Sequence, residues 1–287
     1  MVGPGCDEHV IEAIGRCRVV IRNGEVVEVG EPQITDCPLA KRFAVPVEEI
    51  SKEAIRANIE HRIKAFGMCT PRRDVLATED FVGFGASELL SSGMRAGMID
   101  AAVLASDGAG TVVVTTPQVV QGIGGRMSGL VSTTPIKEVM DRIETHGGFV
   151  LDHQTAKLDQ PAGVDLAVKK GYRNIAVTVA GPDAAEIIRR NYPDTLIFVV
   201  HTSGLSEDEA RRLSAVVDLV TGCASKAVRH IIGPKALLQA GASIPIFALT
   251  TRGKELIARR IVESKAPLFL KNSRLPVTGD QEPRPLV

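Results

Sequence analysis

The chain reads as an α/β protein: a largely parallel sheet flanked by helices, with a small N-terminal module containing a β-hairpin. Three observations carry that expectation. From about residue 174 onward, short apolar runs alternate with amphipathic stretches at regular spacing, as strands and covering helices do. Those runs are apolar on both faces, the mark of strands buried on both sides. Ahead of them, residues 17–30 place Asn23-Gly24 between two β-branched runs, the strongest short-range signal for a hairpin closed by a type I′ turn.

Taken in order, the hairpin is followed by Pro32, Pro38 and Pro46, which interrupt any long element and predict an irregular loop around Cys37. Ser51 is a plausible N-cap, and Ile55, Ile59 and Ile63 recur at helical spacing until Gly67 offers a stop. Cys69 therefore sits just past a helix end. Residues 86–96 read as a helix. The segments 101–104 and 111–115 read as strands joined by a glycine-containing turn, 135–145 as a helix and 149–151 as a short strand. Strands are predicted at 174–179, 195–200, 216–220 and 244–249, with helices near 182–191, 206–215 and 224–240. Ser206 and Glu209 form a capping box in which hydroxyl and carboxylate satisfy reciprocal backbone amides. The pattern divides the chain into a cysteine-containing module at 1–80, an α/β domain at 81–270 and a tail at 271–287 that is extended or mobile. It is also compatible with a closed barrel.

Composition narrows the function classes. With 44% hydrophobic and 24% charged residues over 287 positions, the chain can bury a sizeable core. Its 34 basic and 34 acidic residues cancel, so no overall basic field points to nucleic acid, and two Tyr with no Trp leave few aromatic platforms for single strands. No apolar stretch approaches the roughly 20 residues that span a bilayer, and the first residues lack the pattern of a signal peptide. A cytoplasmic protein without membrane or nucleic-acid partners is expected. Five cysteines, an odd number without a secretory signal, fit reduced thiols or metal ligands better than a disulfide scaffold.

Chemistry in parallel α/β sheets collects at the carboxyl ends of strands. That rule selects the loops beginning at Ala180, His201, Thr221 and Thr250. His201 and Cys223 follow their strands at nearly the same position and are the candidate catalytic pair. A helix after Cys223 would favour its thiolate, making it a nucleophile or a metal ligand; the plain alternatives are a buried free cysteine and a loop-stabilising histidine. The glycine-rich run at 122–129, with Gly122, Gly124, Gly125 and Arg126, could cradle an anion with its bare amides. It lacks the Gly-Lys-Ser/Thr ending of a P-loop, and an adaptable loop without ligand is the simpler reading. Asp152-His153-Gln154 could join a site, although a polar strand end explains it as well. Cys17, Cys37 and Cys69 could ligate an iron-sulfur cluster or another metal, with Cys6 or Cys223 as a fourth ligand; their wide spacing and the absence of a CxxC pair leave separate thiols equally open.

Three segments together, Ile14-Gly15-Arg16-Cys17-Arg18-Val19-Val20 with Asn23-Gly24, Asp36-Cys37-Pro38-Leu39, and Phe66-Gly67-Met68-Cys69-Thr70-Pro71, resemble the methanogenesis marker protein 8 family of archaea over most of the chain. The resemblance supplies no catalytic mechanism. It implies a methanogenic, anaerobic setting, in which cysteine ligation of iron-sulfur is common, and a methanogenic enzyme or its assembly machinery as partner. Two expectations follow: an iron-sulfur or metal-binding accessory factor using Cys17, Cys37 and Cys69, or a small-molecule α/β enzyme using Cys223 and His201.

Overall fold

The computed structural model describes residues 7–126 and 129–287. The chain opens with β1 (Glu8–Ala13), β2 (Cys17–Arg22) and β3 (Glu25–Val29), which pair antiparallel in sequence order. The β2–β3 turn is the predicted one. Asn23 and Gly24 have φ of 49° and 77°, and both positive angles are what a type I′ turn demands. Helix α1 (Lys52–Phe66) covers this sheet. Its Ser51 hydroxyl accepts from the Ala54 amide, and Gly67 ends it in the left-handed conformation at φ 73°. Ile55, Ile59 and Ile63 are buried against Ile11, Val19 and Ile21 in one core.

Next come α2 (Ala86–Arg95), β4 (Ala101–Ser106), β5 (Gly110–Val114), α3 (Pro117–Gly124) and β6 (Gly129–Thr133). Strand β6 pairs antiparallel with β1, so the first sheet has the order β3-β2-β1-β6 and draws its last strand from beyond residue 80. The remaining elements are α4 (Lys137–Thr145), β7 (Phe149–Val150), α5 (Gln160–Lys169), β8 (Ile175–Val179), α6 (Pro182–Asn191), β9 (Leu196–Val199), α7 (Glu207–Val216), β10 (Leu219–Thr221), β11 (Leu238–Ala240), β12 (Ile246–Ala248) and α8 (Thr251–Glu263). They complete a sheet of order β11-β12-β10-β9-β8-β4-β5-β7.

That sheet is mixed, which corrects the expectation of a largely parallel one. Its centre, β4, β8, β9 and β10, is parallel; β5 and β7 on one side, and β12 and β11 on the other, pair antiparallel. The reason is connection length. A crossover helix can return the chain for parallel pairing, as α6 and α7 do, whereas the tight turn at Asp107-Gly108-Ala109 and the short link after β11 can only reverse it. Alternating residues of the strands feed two separate cores. Ala102, Leu104 and Phe198 pack towards α2, α3 and α8, while Val103, Val177 and Val199 pack towards α5, α6 and α7.

Two further expectations change. The segment 224–240 is not one helix: Gly233 and Pro234 interrupt it, leaving a π-helical turn at Val228–Ile232, a short 3₁₀ turn and then β11. The glycine-rich run is not an open loop either. Gly122 and Gly124 lie within α3, and a Cβ on Gly122 would stand 2.1 Å from the Val75 carbonyl oxygen, so close packing of backbone is what asks for glycine there. Positions 127 and 128 of that run lie outside the described residues. The tail is extended and tied down: Asp36 and Arg284 form a β-bridge, and Val287 exchanges backbone hydrogen bonds with Ala224 and Lys226.

Candidate functional site

A cavity of about 1740 Å³ opens where the first sheet faces the carboxyl ends of the parallel strands. One wall is built from β-strand ends: Thr178 and Val179 of β8, Val200 and His201 after β9, Thr221 at the end of β10 and Cys223 after it. The facing wall comes from the tip of the β1–β2 hairpin, the turn around Cys37–Val45, and α1. Ligand sites of parallel sheets form at such strand ends because the loops there are free to diverge.

His201 and Cys223 line this cavity in left-handed backbone conformations, φ 55° and 40°, which non-glycine residues adopt at an energetic cost. Burial pushes the Cys223 thiol up. The amides of His201 and Thr202, the Thr202 hydroxyl and the Arg229 guanidinium pull the other way, each favouring the thiolate. Burial likewise pushes His201 down, to about 4. The imidazole surface is nevertheless exposed, because it opens into the cavity. Water filling that space opposes the desolvation, and the lowered pKa makes neutral imidazole the form at physiological pH.

The hairpin tip adds two residues that the sequence reading passed over. Ile14, Gly15 and Arg16 link β1 to β2, with φ of 74° at Gly15 and 57° at Arg16. A register shift between Val10 and Ile11 sets Glu12 opposite Gly129. A Cβ at Gly129 would lie 3.3 Å from Glu12 Cβ and 3.5 Å from His201 Cγ, so the glutamate and the imidazole approach one another over a residue without a side chain. Arg16 reaches the same place: a Cβ at Gly204 would fall 1.8 Å from its Nη1. The Arg16 Nε lies 3.8 Å from Glu12 Oε2. Burial raises the Glu12 carboxyl above its usual range, against the opposing charge of Arg16. The one available sequence signal was the arginine beside Gly15 in a hairpin tip; nothing local marked Glu12.

The early cysteines share a core. Cys17 is fully buried, with its sulfur 3.2 Å from the Gly30 carbonyl, and burial raises its pKa. Cys69 is fully buried; its amide donates to Asp107 at 2.6 Å, and burial together with the Asp107 charge raises its thiol well above the ordinary range. Cys37 alone of the three lines the cavity, its thiol raised by burial and drawn back by the amides of Leu39 and Ala40. Among the described residues no group of three or more His, Cys, Asp or Glu is placed to hold a metal.

Other candidates make specific contacts of their own. Arg73 and Asp107 form a buried ion pair at 2.9 Å, and Arg73 also donates to the Gly122 carbonyl at 3.0 Å, tying the module to the α/β sheet. Gly124, Gly125 and Arg126 reach the cavity lining, where Arg126 pairs with Asp74 at 3.0 Å and stacks on Phe66. Asp152 accepts from the amides of Gln154 and Thr155, and His153 meets Glu144 at the surface. The loop after β12, at Thr250, emerges at the amino end of the parallel strands, because β12 runs antiparallel to β10. No helix among the described residues is long and apolar enough to cross a membrane.

Fold and cavity define a two-sheet α/β protein whose candidate site lies between an antiparallel N-terminal sheet and the carboxyl ends of a mixed sheet. The chain belongs to the archaeal family described as "Uncharacterized protein conserved in archaea (DUF2099)", whose model matches residues 9–262. It is similar along nearly its whole length to "Uncharacterized protein MJ0054" of Methanocaldococcus jannaschii, with 43% identity over 285 residues, covering 98% of this chain and 100% of that protein.

Proposed function

We propose that the protein is a small-molecule enzyme of the α/β class, working at the carboxyl ends of β9 and β10 with Cys223 as nucleophile and His201 and Glu12 as the proton-transferring groups. The observation that carries this reading is the pair of left-handed, non-glycine residues, His201 and Cys223, on adjacent parallel strands in one large cavity. A thiol held above its usual pKa needs a base to become a nucleophile, and a neutral imidazole in the same cavity supplies one. Glu12, with its raised carboxyl, is suited to return a proton.

The test uses an activated ester, p-nitrophenyl acetate. Attack by the Cys223 sulfur on the acetyl carbon releases p-nitrophenolate and leaves an S-acetyl group, which mass spectrometry assigns to a residue. The expected result is acetylation at Cys223, absent in Cys223→Ser and slowed at least about a hundredfold in His201→Gln, the low end of what a general base contributes. Acetylation of Cys223 no faster than of the buried Cys17 would sink the reading.

A second reading, an iron-sulfur or metal-binding accessory factor for a methanogenic enzyme or its assembly machinery, draws on Cys37 lining the same cavity as Cys223. A cluster would need further ligands beside these two thiols. Iron and sulfide analysis after anaerobic reconstitution decides it: stoichiometric cluster lost in Cys37→Ser favours it, and metal-free protein overturns it.

A further inference from the structure

The two walls of the cavity differ in charge. Strand ends supply neutral groups, Thr178, Thr221, the His201 imidazole and the Cys223 thiol, whereas α1 and the turn before it supply Arg42 and Arg62 beside the Phe43 ring. The Arg62 guanidinium carbon stands 5.0 Å from the centre of that ring, a cation–π geometry that fixes the orientation of the group. Burial and the nearby Arg73 charge push Arg62 down to about 10, the sign of cations crowded in a poorly solvated place.

Carboxylates on the lining are engaged elsewhere. Asp74 pairs with Arg126, Asp159 with Lys157, and Glu12 lies beside Arg16. Glu88 accepts from the Phe81 amide and from Gln121, and Glu209 closes the capping box on Ser206. The Arg42 amide donates to the Leu39 carbonyl, but its guanidinium has no hydrogen-bond or ion-pair partner among the described residues. The space between the two walls is bordered largely by apolar side chains such as Ile14, Leu39, Phe66 and Leu205.

We propose that this cavity takes an organic anion, with its carboxylate, phosphate or sulfonate group held at Arg42 and Arg62 and its apolar body lying across to the strand ends at His201 and Cys223. Arginine suits the charged end because its planar fork offers paired donors to such oxygens. The proposal rests on the reading of the cavity as the ligand site and deepens it by naming the substrate class. It orients the ligand as well: the end that reacts is the one remote from the acidic group.

Two fluorescent compounds with the same aromatic body test it. 1-Anilinonaphthalene-8-sulfonate carries an anionic group, and N-phenyl-1-naphthylamine does not. The full-length protein is expected to bind the sulfonate at least about tenfold more tightly, the worth of one charge-assisted contact. That preference should vanish in the double variant Arg42→Gln/Arg62→Gln and persist in Cys223→Ser. Arg42 is exposed, so the single variant Arg42→Gln retains the fold and should by itself reduce the preference. Equal binding of the two compounds, or a preference untouched by the arginine variants, overturns the anion proposal and leaves the thiol reading standing. Binding of neither compound overturns both.

Discussion

The two ends of the parallel strands use polar groups in opposite ways. At the amino end, Asp218 precedes β10 and is buried with its oxygens fully engaged: Oδ2 accepts from Arg189 Nη2 at 2.7 Å and from the Ile197 amide at 2.8 Å, and Oδ1 accepts from the Thr250 hydroxyl at 2.6 Å. Arg189 spends its other donors on the carbonyls of Val216 and Thr195. At the carboxyl end, His201 and Cys223 hold strained backbone angles, their side chains turned to an open cavity. One end closes its hydrogen-bond accounts and knits strands to helices. The other leaves them open, which is what a ligand requires.

The strongest way to break this contrast is Asp218→Ala. Removing the buried carboxylate leaves the half-buried Arg189, the Ile197 amide and the Thr250 hydroxyl without their acceptor and should cost about 3 kcal/mol of stability, seen as a lower midpoint in urea. A loss below about 1 kcal/mol would mean that Asp218 does not fasten the amino end. The reverse experiment is His201→Gly. Glycine adopts φ 55° without steric penalty, so the substitution should raise stability by about 1 kcal/mol while removing the ring that the site needs. Loss of stability in that variant would place His201 among the structural groups.

The smallest effect is in pH. A histidine whose pKa is lowered on folding binds fewer protons in the native than in the unfolded state between the folded and unfolded values. Its contribution therefore favours the native state above about 6.5 and is lost as pH falls towards about 4. Glu12 has the opposite sign: with its pKa raised on folding, its contribution is lost as pH rises above the ordinary carboxyl value, and this offsets part of the histidine effect. Imidazole NMR signals separate the two. A His201 midpoint well below the ordinary imidazole value of about 6.5 sharpens the contrast between the ends, and an ordinary midpoint removes it.

What was legible in the sequence was local. Ser51, the Ile55/Ile59/Ile63 spacing and Gly67 mark α1 at both ends, and Asn23-Gly24 marks its turn, because caps and turns depend on a few adjacent residues. Helices α6 and α7 follow their predicted positions closely. What was not legible depended on distant partners. The pairing of β6 with β1 joins residues more than a hundred positions apart, and glycine at 122 answers the backbone at Val75, not a turn of its own. For the site, His201 and Cys223 could be placed on neighbouring strand ends by the α/β rule, but Glu12 and Arg16 reach the cavity only because one hairpin tip packs against another sheet. Gly129 and Gly204, which admit them, have no meaning until that packing is known.

The interlaced strand β6 has a practical bearing on how the gene can be dissected. A fragment ending near residue 80 would hold β1, β2 and β3 but leave one side of β1 without its neighbour, a bare row of amides and carbonyls ready to pair with another copy. The complementary fragment would carry a solitary ribbon, Gly129–Thr133, cut from its sheet. Expressed apart, the halves should clump; mixed during refolding, they should find each other through that strand.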